Sequence, residues 1–293
     1  MDYPKASHKS IVEIQNKVFC IFGDERVFNA KSPLLFSSIL KKIGFNGSYV
    51  PFMVAPHQIG EAVCSMRALN MAGANVTAPY KESVITHLDV LSEGANIVGA
   101  VNTITRNGDI LKGYNTNAVG FMNAMTETGF DTAGKTALVF GTGGAARAVA
   151  FILNWLRTET TLIAGRSEKK IQRLIDKIGG EPRPFESLYQ KTLKAHIIVN
   201  ATSVSTVEDS AEMAQLLSGL DVKGCQVMID LNYGRRNNMW ERYARSKGIH
   251  YVDGLTTLAH QARRSFMLWT RIDVDARDFV TELRNSLRLA ETP

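Results

Sequence analysis

Gly141-Thr142-Gly143-Gly144-Ala145 lies between a β-rich apolar run, 136–140, and a small-residue helical run, 145–153. A glycine turn of this kind can take positive φ and lets the backbone come close to a ligand's phosphates. The helix that follows offers N–H groups without intrahelical partners and the positive end of its dipole. Such a loop suits a pyrophosphate, with Gly141, Gly143, Gly144 and Ala145 as its binding residues. A bound dinucleotide would make hydride transfer the expected chemistry. The pattern is G-x-G-G-x-x-x-A rather than G-x-G-x-x-G, so a plain tight strand–helix connection is the competing reading.

The next apolar run, 160–164, ends at Gly165-Arg166-Ser167. The tip of that strand is where an adenine ribose lies in a dinucleotide fold, and an NAD site wants Asp or Glu there for the 2′-hydroxyl. The chain instead offers Arg166, Ser167, Lys169 and Lys170. A guanidinium grips a 2′-phosphate that a carboxylate would repel. The cofactor expected is therefore NADP, held by Arg166, Ser167 and Lys170, against the alternative of a solvated basic helix start.

The elements that would position these residues alternate. Strand signals fall at 18–22, 48–53, 74–77 and 100–105. A helix is expected at 33–43, with Ser32 as N-cap and Pro33 in the first turn. Apolar spacing predicts further helices at 60–70 and 80–91. The second half begins with a helix at 118–128 and continues with strands at 136–140, 161–164, 196–200, 227–231 and 250–252. Helices fill the gaps, for example 168–178 and 239–247, and the tail 261–289 is helical. Strands alternating with helices imply an α/β fold of parallel sheets with right-handed crossovers. The expected division is an N-terminal α/β domain, 1–116, then a Rossmann-type domain, 117–254. A C-terminal helical segment, 255–293, would return to pack on the first domain.

Composition agrees with a two-domain enzyme of 293 residues, 45% hydrophobic and 21% charged. A net charge of +6 suits anionic small molecules, with nucleic acid the weaker reading. No apolar run approaches the roughly 18 residues of a membrane span. Met1 to Ser10 is polar and lacks an apolar signal core. Cys20, Cys64 and Cys225 are odd in number and widely spaced, which suits buried thiols in a reducing, cytoplasmic setting. The six histidines fall singly, so no metal site is expected. His260 alone stands near a motif, and is expected to be structural or exposed.

A series of further segments resembles the shikimate dehydrogenase family, which includes quinate/shikimate and aminoshikimate dehydrogenases. The segments are Ser32-Pro33, Asn75-Val76-Thr77-Ala78-Pro79-Tyr80-Lys81, Gly99-Ala100-Val101-Asn102-Thr103 and Gly113-Tyr114-Asn115-Thr116-Asn117-Ala118-Val119-Gly120. The glycine loop continues the series, as do Asn200-Ala201-Thr202-Ser203, Asp230-Leu231-Asn232-Tyr233, and Asp253-Gly254-Leu255 through His260-Gln261-Ala262. The likeness covers nearly the whole chain, in order and with matching spacing. It implies that Lys81, in N-V-T-x-P-x-K, handles the hydroxyl proton while a nicotinamide takes the hydride. It also implies that Ser32 holds a substrate carboxylate, that Thr77 and Asn102 bind hydroxyls, and that Gln261 and Tyr233 lie near the substrate ring. Thr202 and Gly254 join the cofactor-binding set on the same ground. A solvated helix lysine is the plain alternative for Lys81.

Four departures stand out. The family's G-x-N-T-D reads Gly113-Tyr114-Asn115-Thr116-Asn117, so the aspartate that pairs with the lysine is Asn117 here. Asparagine still hydrogen-bonds a hydroxyl but carries no charge and takes no proton. The H-S-x-S-P motif reads Asn29-Ala30-Lys31-Ser32-Pro33, so one carboxylate-binding serine has become Ala30. A lost hydrogen bond to a charged group costs roughly 1.5–3 kcal/mol, with Lys31 or Asn29 as candidate compensation. The stretch Asn200-Ala201-Thr202-Ser203-Val204-Ser205 stands where the family usually has a G-M pair, and Gly234-Arg235-Arg236 stands where a proline usually follows the tyrosine.

The expectation is an NADP-dependent oxidoreductase interconverting shikimate and 3-dehydroshikimate or a closely related cyclic hydroxy acid, with the 1–116 domain binding substrate. Quinate or aminoshikimate is the alternative substrate. A catalytically impaired NADP- or substrate-binding protein is the alternative function, favoured by Asn117. The expected ligand is a small shikimate-like carboxylate, with no nucleic acid or membrane partner, in a monomer or homodimer.

Overall fold

The computed structural model describes residues 16–189 and 192–289. The reading of Met1 to Ser10 lies outside them. The chain divides into two compact units, discontinuous in sequence. One lies within Met1–Leu91, Val101–Tyr114 and Ser265–Pro293, the other within Ser92–Ala100 and Asn115–Arg264.

The first unit is built from β1 (Lys17–Gly23), α1 (Ser32–Lys42), β2 (Gly47–Met53), α2 (Ile59–Ala68), β3 (Gly73–Val76), β4 (Val90–Leu91), β5 (Thr103–Asn107) and β6 (Ile110–Tyr114). They form a six-stranded sheet in the order β2-β1-β3-β5-β6-β4. β1 runs parallel to β2 and β3. β3–β5 and β5–β6 are antiparallel, which corrects the expectation of a purely parallel sheet. For β5–β6 the physical cause is the two-residue turn between Asn107 and Ile110, too short for anything but an antiparallel return.

Two further expectations are corrected here. The segment 80–91 is a 3₁₀ turn, Ser83–His87, followed by β4, not a helix. Tyr80 and Val84 are buried at helical spacing. The Asp89 carboxylate then accepts from the Leu111 N–H and the Arg67 guanidinium, each at 2.6 Å, and draws the chain onto β6. Ser32 is the first residue of α1 and not its N-cap; Lys31 occupies that position without a capping bond. Aromatic rings fill the core. Phe36 stacks on Tyr49 at 4.6 Å, Phe19 on Trp269 at 5.2 Å, and Phe279 of the C-terminal helix Ala276–Leu289 closes on Phe266.

The second unit adds α3 (Glu93–Val98), α4 (Thr116–Thr128), β7 (Thr136–Phe140), α5 (Gly144–Trp155), β8 (Thr160–Gly165), α6 (Glu168–Ile178), β9 (Glu181–Pro184), β10 (Leu193–Lys194), β11 (Ile197–Asn200), α7 (Ala211–Gly219), β12 (Val222–Lys223), β13 (Val227–Asp230), α8 (Met239–Ser246), β14 (His250–Val252) and the start of α9 (Gly254–Thr270). Its main sheet has the order β14-β13-β11-β7-β8-β9 and is parallel throughout. Successive residues on a strand face opposite sides. Val139, Ile163, Val199 and Ile229 therefore pack one face against α4 and α5, and Leu138, Phe140, Leu162, Ile198 and Met228 pack the other against α7 and α8. Chain order reverses between β7 and β11, the switch point at which ligands bind in open α/β sheets. Among the described residues no helix is long and apolar enough to cross a membrane.

Candidate active site

The chemistry-bearing residues occupy strand ends and helix starts, and each unit holds its own set. In the first unit the stretch after β3 is sewn to its neighbours by backbone bonds. Val76 N donates to Asn102 O at 3.0 Å, Thr77 N to Phe22 O at 3.0 Å, and Val101 N to Lys81 O at 2.7 Å. The Ala78–Pro79 peptide is cis, and the Tyr80 hydroxyl donates to the Val54 carbonyl. The Val101–Lys81 bond fixes the Lys81 backbone beside Val101, next to Asn102. Burial pushes the Lys81 amine down to about 8. A proton carrier with that value changes state close to working pH, which is what general acid–base catalysis requires.

A buried chain of polar groups runs through the same unit. The Tyr49 hydroxyl donates to Asn75 Oδ1 at 2.7 Å. Asn75 Nδ2 donates to Asn102 O at 3.0 Å and reaches Thr103 Oγ1 at 3.2 Å. Thr103 Oγ1 and Ser265 Oγ are hydrogen-bonded at 2.8 Å. Sequence reasoning gave roles to Ser32, Thr77, Lys81 and Asn102; it named Asn75 and Thr103 only as members of the family segments, and passed over Tyr49 and Ser265. For Tyr49, Asn75 and Thr103 the signal that could have found them is a polar group inside a strand run; Ser265 lies on helix α9 and carries no such signal.

In the second unit the glycine turn follows β7. Gly141 sits at φ +120, where a side chain is strained, and a Cβ there would stand 2.9 Å from the Ala201 carbonyl. Its N–H donates to Ala164 O at 2.8 Å, tying the turn to β8. Gly143 occupies the N-cap of α5 with no side chain capping the helix. That uncapped N-terminus, at the sheet's switch point, is a fit for a pyrophosphate. At the end of β8, Arg166 is exposed, with a guanidinium nitrogen 3.9 Å from a Glu212 carboxylate oxygen. Ser167 caps α6 by accepting from Lys170 N at 3.4 Å, which leaves its hydroxyl proton to donate. Lys170 is exposed.

The remaining strand ends complete this edge. The Thr202 hydroxyl donates to Asn200 Oδ1 at 2.6 Å and accepts from Val204 N at 3.1 Å, so it shapes the loop after β11. Asp230, at the end of β13, is fully buried, and the sequence named it only as part of a family segment, without a role. It accepts from Asn200 Nδ2 at 2.8 Å, Ser205 Oγ and Asn238 Nδ2 at 2.7 Å, and Asn232 N and Nδ2 at 3.0 Å. Burial raises its carboxyl pKa against the pull of those donors. The network locks the loops 200–205 and 230–238, the second of which carries half-buried Tyr233, whose phenol pKa burial also raises. Gly254 opens α9 where a Cβ would overlap the Leu231 carbonyl.

Asn117 is the second residue of α4, whose N-cap Asn115 accepts from Ala118 N at 3.2 Å. Gln261 lies on α9, close to α4 at Gly120, where any side chain would meet Gln261 and the Thr257 carbonyl. His260 is buried and its Nε2 lies 2.7 Å from a Glu127 carboxylate oxygen, a link between α9 and α4. No group of three or more His, Cys, Asp or Glu among the described residues could hold a metal ion.

A parallel sheet in this order, with an uncapped glycine turn at its switch point, defines a dinucleotide-binding α/β protein. Its companion unit carries a lysine, Lys81, whose amine burial brings down to about 8. Comparison with known proteins specifies the family. Residues 21–104 match the shikimate dehydrogenase substrate binding domain, and residues 123–246 match the shikimate / quinate 5-dehydrogenase domain. The chain is 36% identical over 277 residues to the shikimate dehydrogenase (NADP(+)) of Caldanaerobacter subterraneus subsp. tengcongensis, covering 92% of this chain and 97% of that one. It is similar in structure, with a TM-score of 0.80 and 30% identity, to shikimate 5-dehydrogenase of Thermus thermophilus in complex with NADP(H) and shikimate. That match covers 92% of this chain and 99% of the other. The crystal structure of shikimate dehydrogenase from Aquifex aeolicus gives a TM-score of 0.81 at 28% identity, covering 92% and 98%. The chain belongs to the shikimate dehydrogenase family.

Proposed function

We propose that this protein interconverts shikimate and 3-dehydroshikimate with NADP, Lys81 carrying the hydroxyl proton. The observation that carries the reading is Lys81 itself, held by Val101 after a buried strand and brought to about 8 by burial. An amine at an ordinary value near 10.4 would stay charged and take no proton at neutral pH. The relatives' names and the complex of the Thermus thermophilus enzyme with NADP(H) and shikimate supply the substrate and cofactor. Bound NADP would supply the hydride acceptor. Gly141, Gly143, Gly144 and Ala145 would hold its pyrophosphate, Arg166, Ser167 and Lys170 its 2′-phosphate, and Thr202, Gly254 and Tyr233 the loops around it. Ser32, Thr77, Asn102 and Gln261 would hold and orient the substrate. The three cysteines are free thiols, though only Cys20 is buried and Cys64 is exposed, against the expectation of buried thiols; free thiols support a cytoplasmic enzyme. We take it to be a monomer or homodimer.

Steady-state rates with shikimate, quinate and aminoshikimate, each with NAD and NADP, test the reading. Turnover fastest with shikimate and NADP is the expected result. No turnover on any of the three, with NADP still bound, would favour the second reading: a binding protein impaired by Asn117 in place of the family's aspartate.

The cofactor assignment has its own test. A phosphate held by one or two charge-assisted bonds is worth about 1.5–3 kcal/mol each, so NADP should bind roughly tenfold or more tighter than NAD. Arg166→Ala should remove most of that difference. Equal affinities of the unaltered protein for NAD and NADP by calorimetry would overturn the role given to the end of β8.

The carboxylate end is tested by restoring the hydroxyl missing from the family motif. Ala30→Ser should tighten shikimate by about 1 kcal/mol or more. An unchanged or higher KM for shikimate would mean that the ligand's carboxylate is held elsewhere.

A further inference from the structure

The Arg166–Glu212 pair joins two strand ends that are not neighbours. Arg166 follows β8, and Glu212 lies in the first turn of α7, which follows β11. In the sheet, β8 and β11 flank β7 on its two sides. Two strand spacings come to about 10 Å. Yet a guanidinium nitrogen of Arg166 stands 3.9 Å from a Glu212 carboxylate oxygen. The two side chains therefore reach toward one another across the carboxyl end of β7, from which the glycine turn springs. The tip of β8 is packed against that turn, since a Cβ on Gly165 would stand 3.0 Å from Thr142 Cγ2. A dinucleotide with its pyrophosphate on the turn has its adenine ribose at the tip of the next strand. That is beside Arg166, and so beside Glu212.

A carboxylate at that place acts oppositely on the two nicotinamide cofactors. A 2′-hydroxyl brings a proton that the carboxylate can accept. A 2′-phosphate brings negative charge that it repels, and needs the very guanidinium the carboxylate engages. An NAD site carries its acid at the tip of the second strand. Here an acid arrives at the same corner from α7, on the far side of β7. The two side chains are 76% and 59% exposed, so Arg166 can exchange one partner for the other. We propose that Glu212 is a specificity-determining residue for the cofactor: it competes with the 2′-phosphate for Arg166 and narrows the preference for NADP over NAD. The proposal rests on the reading of Arg166 as a 2′-phosphate ligand given above, and deepens it.

Glu212→Gln isolates the effect, keeping the side chain's length and removing its charge. The residue is exposed, and α7 keeps its cap, with Ser210 Oγ accepting from Met213 N at 3.2 Å. NADP and NAD are titrated separately by calorimetry at low salt. NADP should bind Glu212→Gln about threefold to fivefold tighter than the unaltered protein, the upper worth of an exposed charge pair. NAD should be unchanged or weaker. Ser167, Glu168 and Lys170 are present in every form and cancel. The gain should fade at about 1 M salt, where charges are screened within roughly 3 Å. In an Arg166→Ala background, Glu212→Gln should change NADP affinity by less than about twofold, because a phosphate no longer drawn to that strand end does not meet position 212. Unchanged or weaker NADP binding to Glu212→Gln overturns the proposal. Equal tightening of NAD and NADP, or a gain that survives intact without Arg166, overturns it as well, since Glu212 would then act only as a general surface charge. In each of these cases, loss of the NADP preference in Arg166→Ala alone leaves the cofactor reading standing. A preference that survives Arg166→Ala, or binding of neither cofactor to the unaltered protein, overturns both.

Discussion

Lys81→Met should lower kcat for shikimate oxidation by about 10²–10⁴, the usual worth of a placed acid or base. The same substitution should raise stability at neutral pH. Burial holds the Lys81 amine at about 8, against an ordinary value near 10.4 in the unfolded chain. Between those values the unfolded state binds more protons than the folded one, so stability rises with pH across that window. Below pH 8 the cost of burying the charged form is present in full. Methionine has similar length and no charge to desolvate, so the gain in denaturation midpoint should be largest below pH 8 and fade toward pH 10 and above. The catalytic profile has a matching sign. Oxidation needs the neutral amine to accept the hydroxyl proton, so its rate should rise through about pH 8 and then level off. Ketone reduction needs the ammonium and should fall over the same range. A Lys81→Met enzyme within tenfold of the parent, or a flat profile between pH 7 and 9, would remove Lys81 from the proton path.

The sequence disclosed most where one signal governs. The run from Thr136 into Gly141 is apolar and β-rich up to a turn that excludes side chains, and strand, turn and helix all follow as read. The basic tip after β8 was legible for the same reason, since Arg166 and Ser167 follow a buried strand. The reading weakened where long-range partners decide. Tyr80, Val84, Leu88 and Leu91 imitate a helical stripe, yet Asp89 finds Arg67 and the Leu111 N–H and turns the chain into a strand. β6 was missed although Asn107-Gly108 is a hairpin signal, because its five residues mix Lys112 and Gly113 with apolar neighbours. α3, β9 and α7 were missed as well, each short and weakly patterned. Within the candidate site, segments such as Asn75-Val76-Thr77 identify themselves by spacing, whereas Tyr49 and Asp230 are recognised only by the bonds they make. Both are polar groups on apolar strands, and nothing local tells which donors and acceptors surround them.

Asn117→Asp should raise kcat on shikimate by at least about tenfold, with a smaller change in KM, because the added charge acts chiefly on proton transfer. The substitution is nearly isosteric, and its place in the fold accepts it. Position 117 lies in the first turn of α4, already capped by Asn115, where the helix dipole favours a negative charge. Folding stability should therefore hold or rise, and a gain in rate cannot be assigned to better folding if melting temperatures are compared alongside. A carboxylate paired with the Lys81 ammonium, as in the family motif, favours the charged amine and moves its pKa up from about 8. The pH at which oxidation reaches half its maximal rate should shift upward with it, while the plateau rate increases. The double variant Asn117→Asp with Lys81→Met decides whether the two positions act as a pair. If they do, the gain disappears when the lysine is gone, and the cycle shows a coupling that neither single change accounts for. Independent effects would leave Asn117→Asp equally beneficial in both backgrounds and would refute the pairing. Absence of any gain on shikimate, quinate and aminoshikimate would instead sink the pairing and favour a site that binds its ligand without turnover or is built for a different substrate.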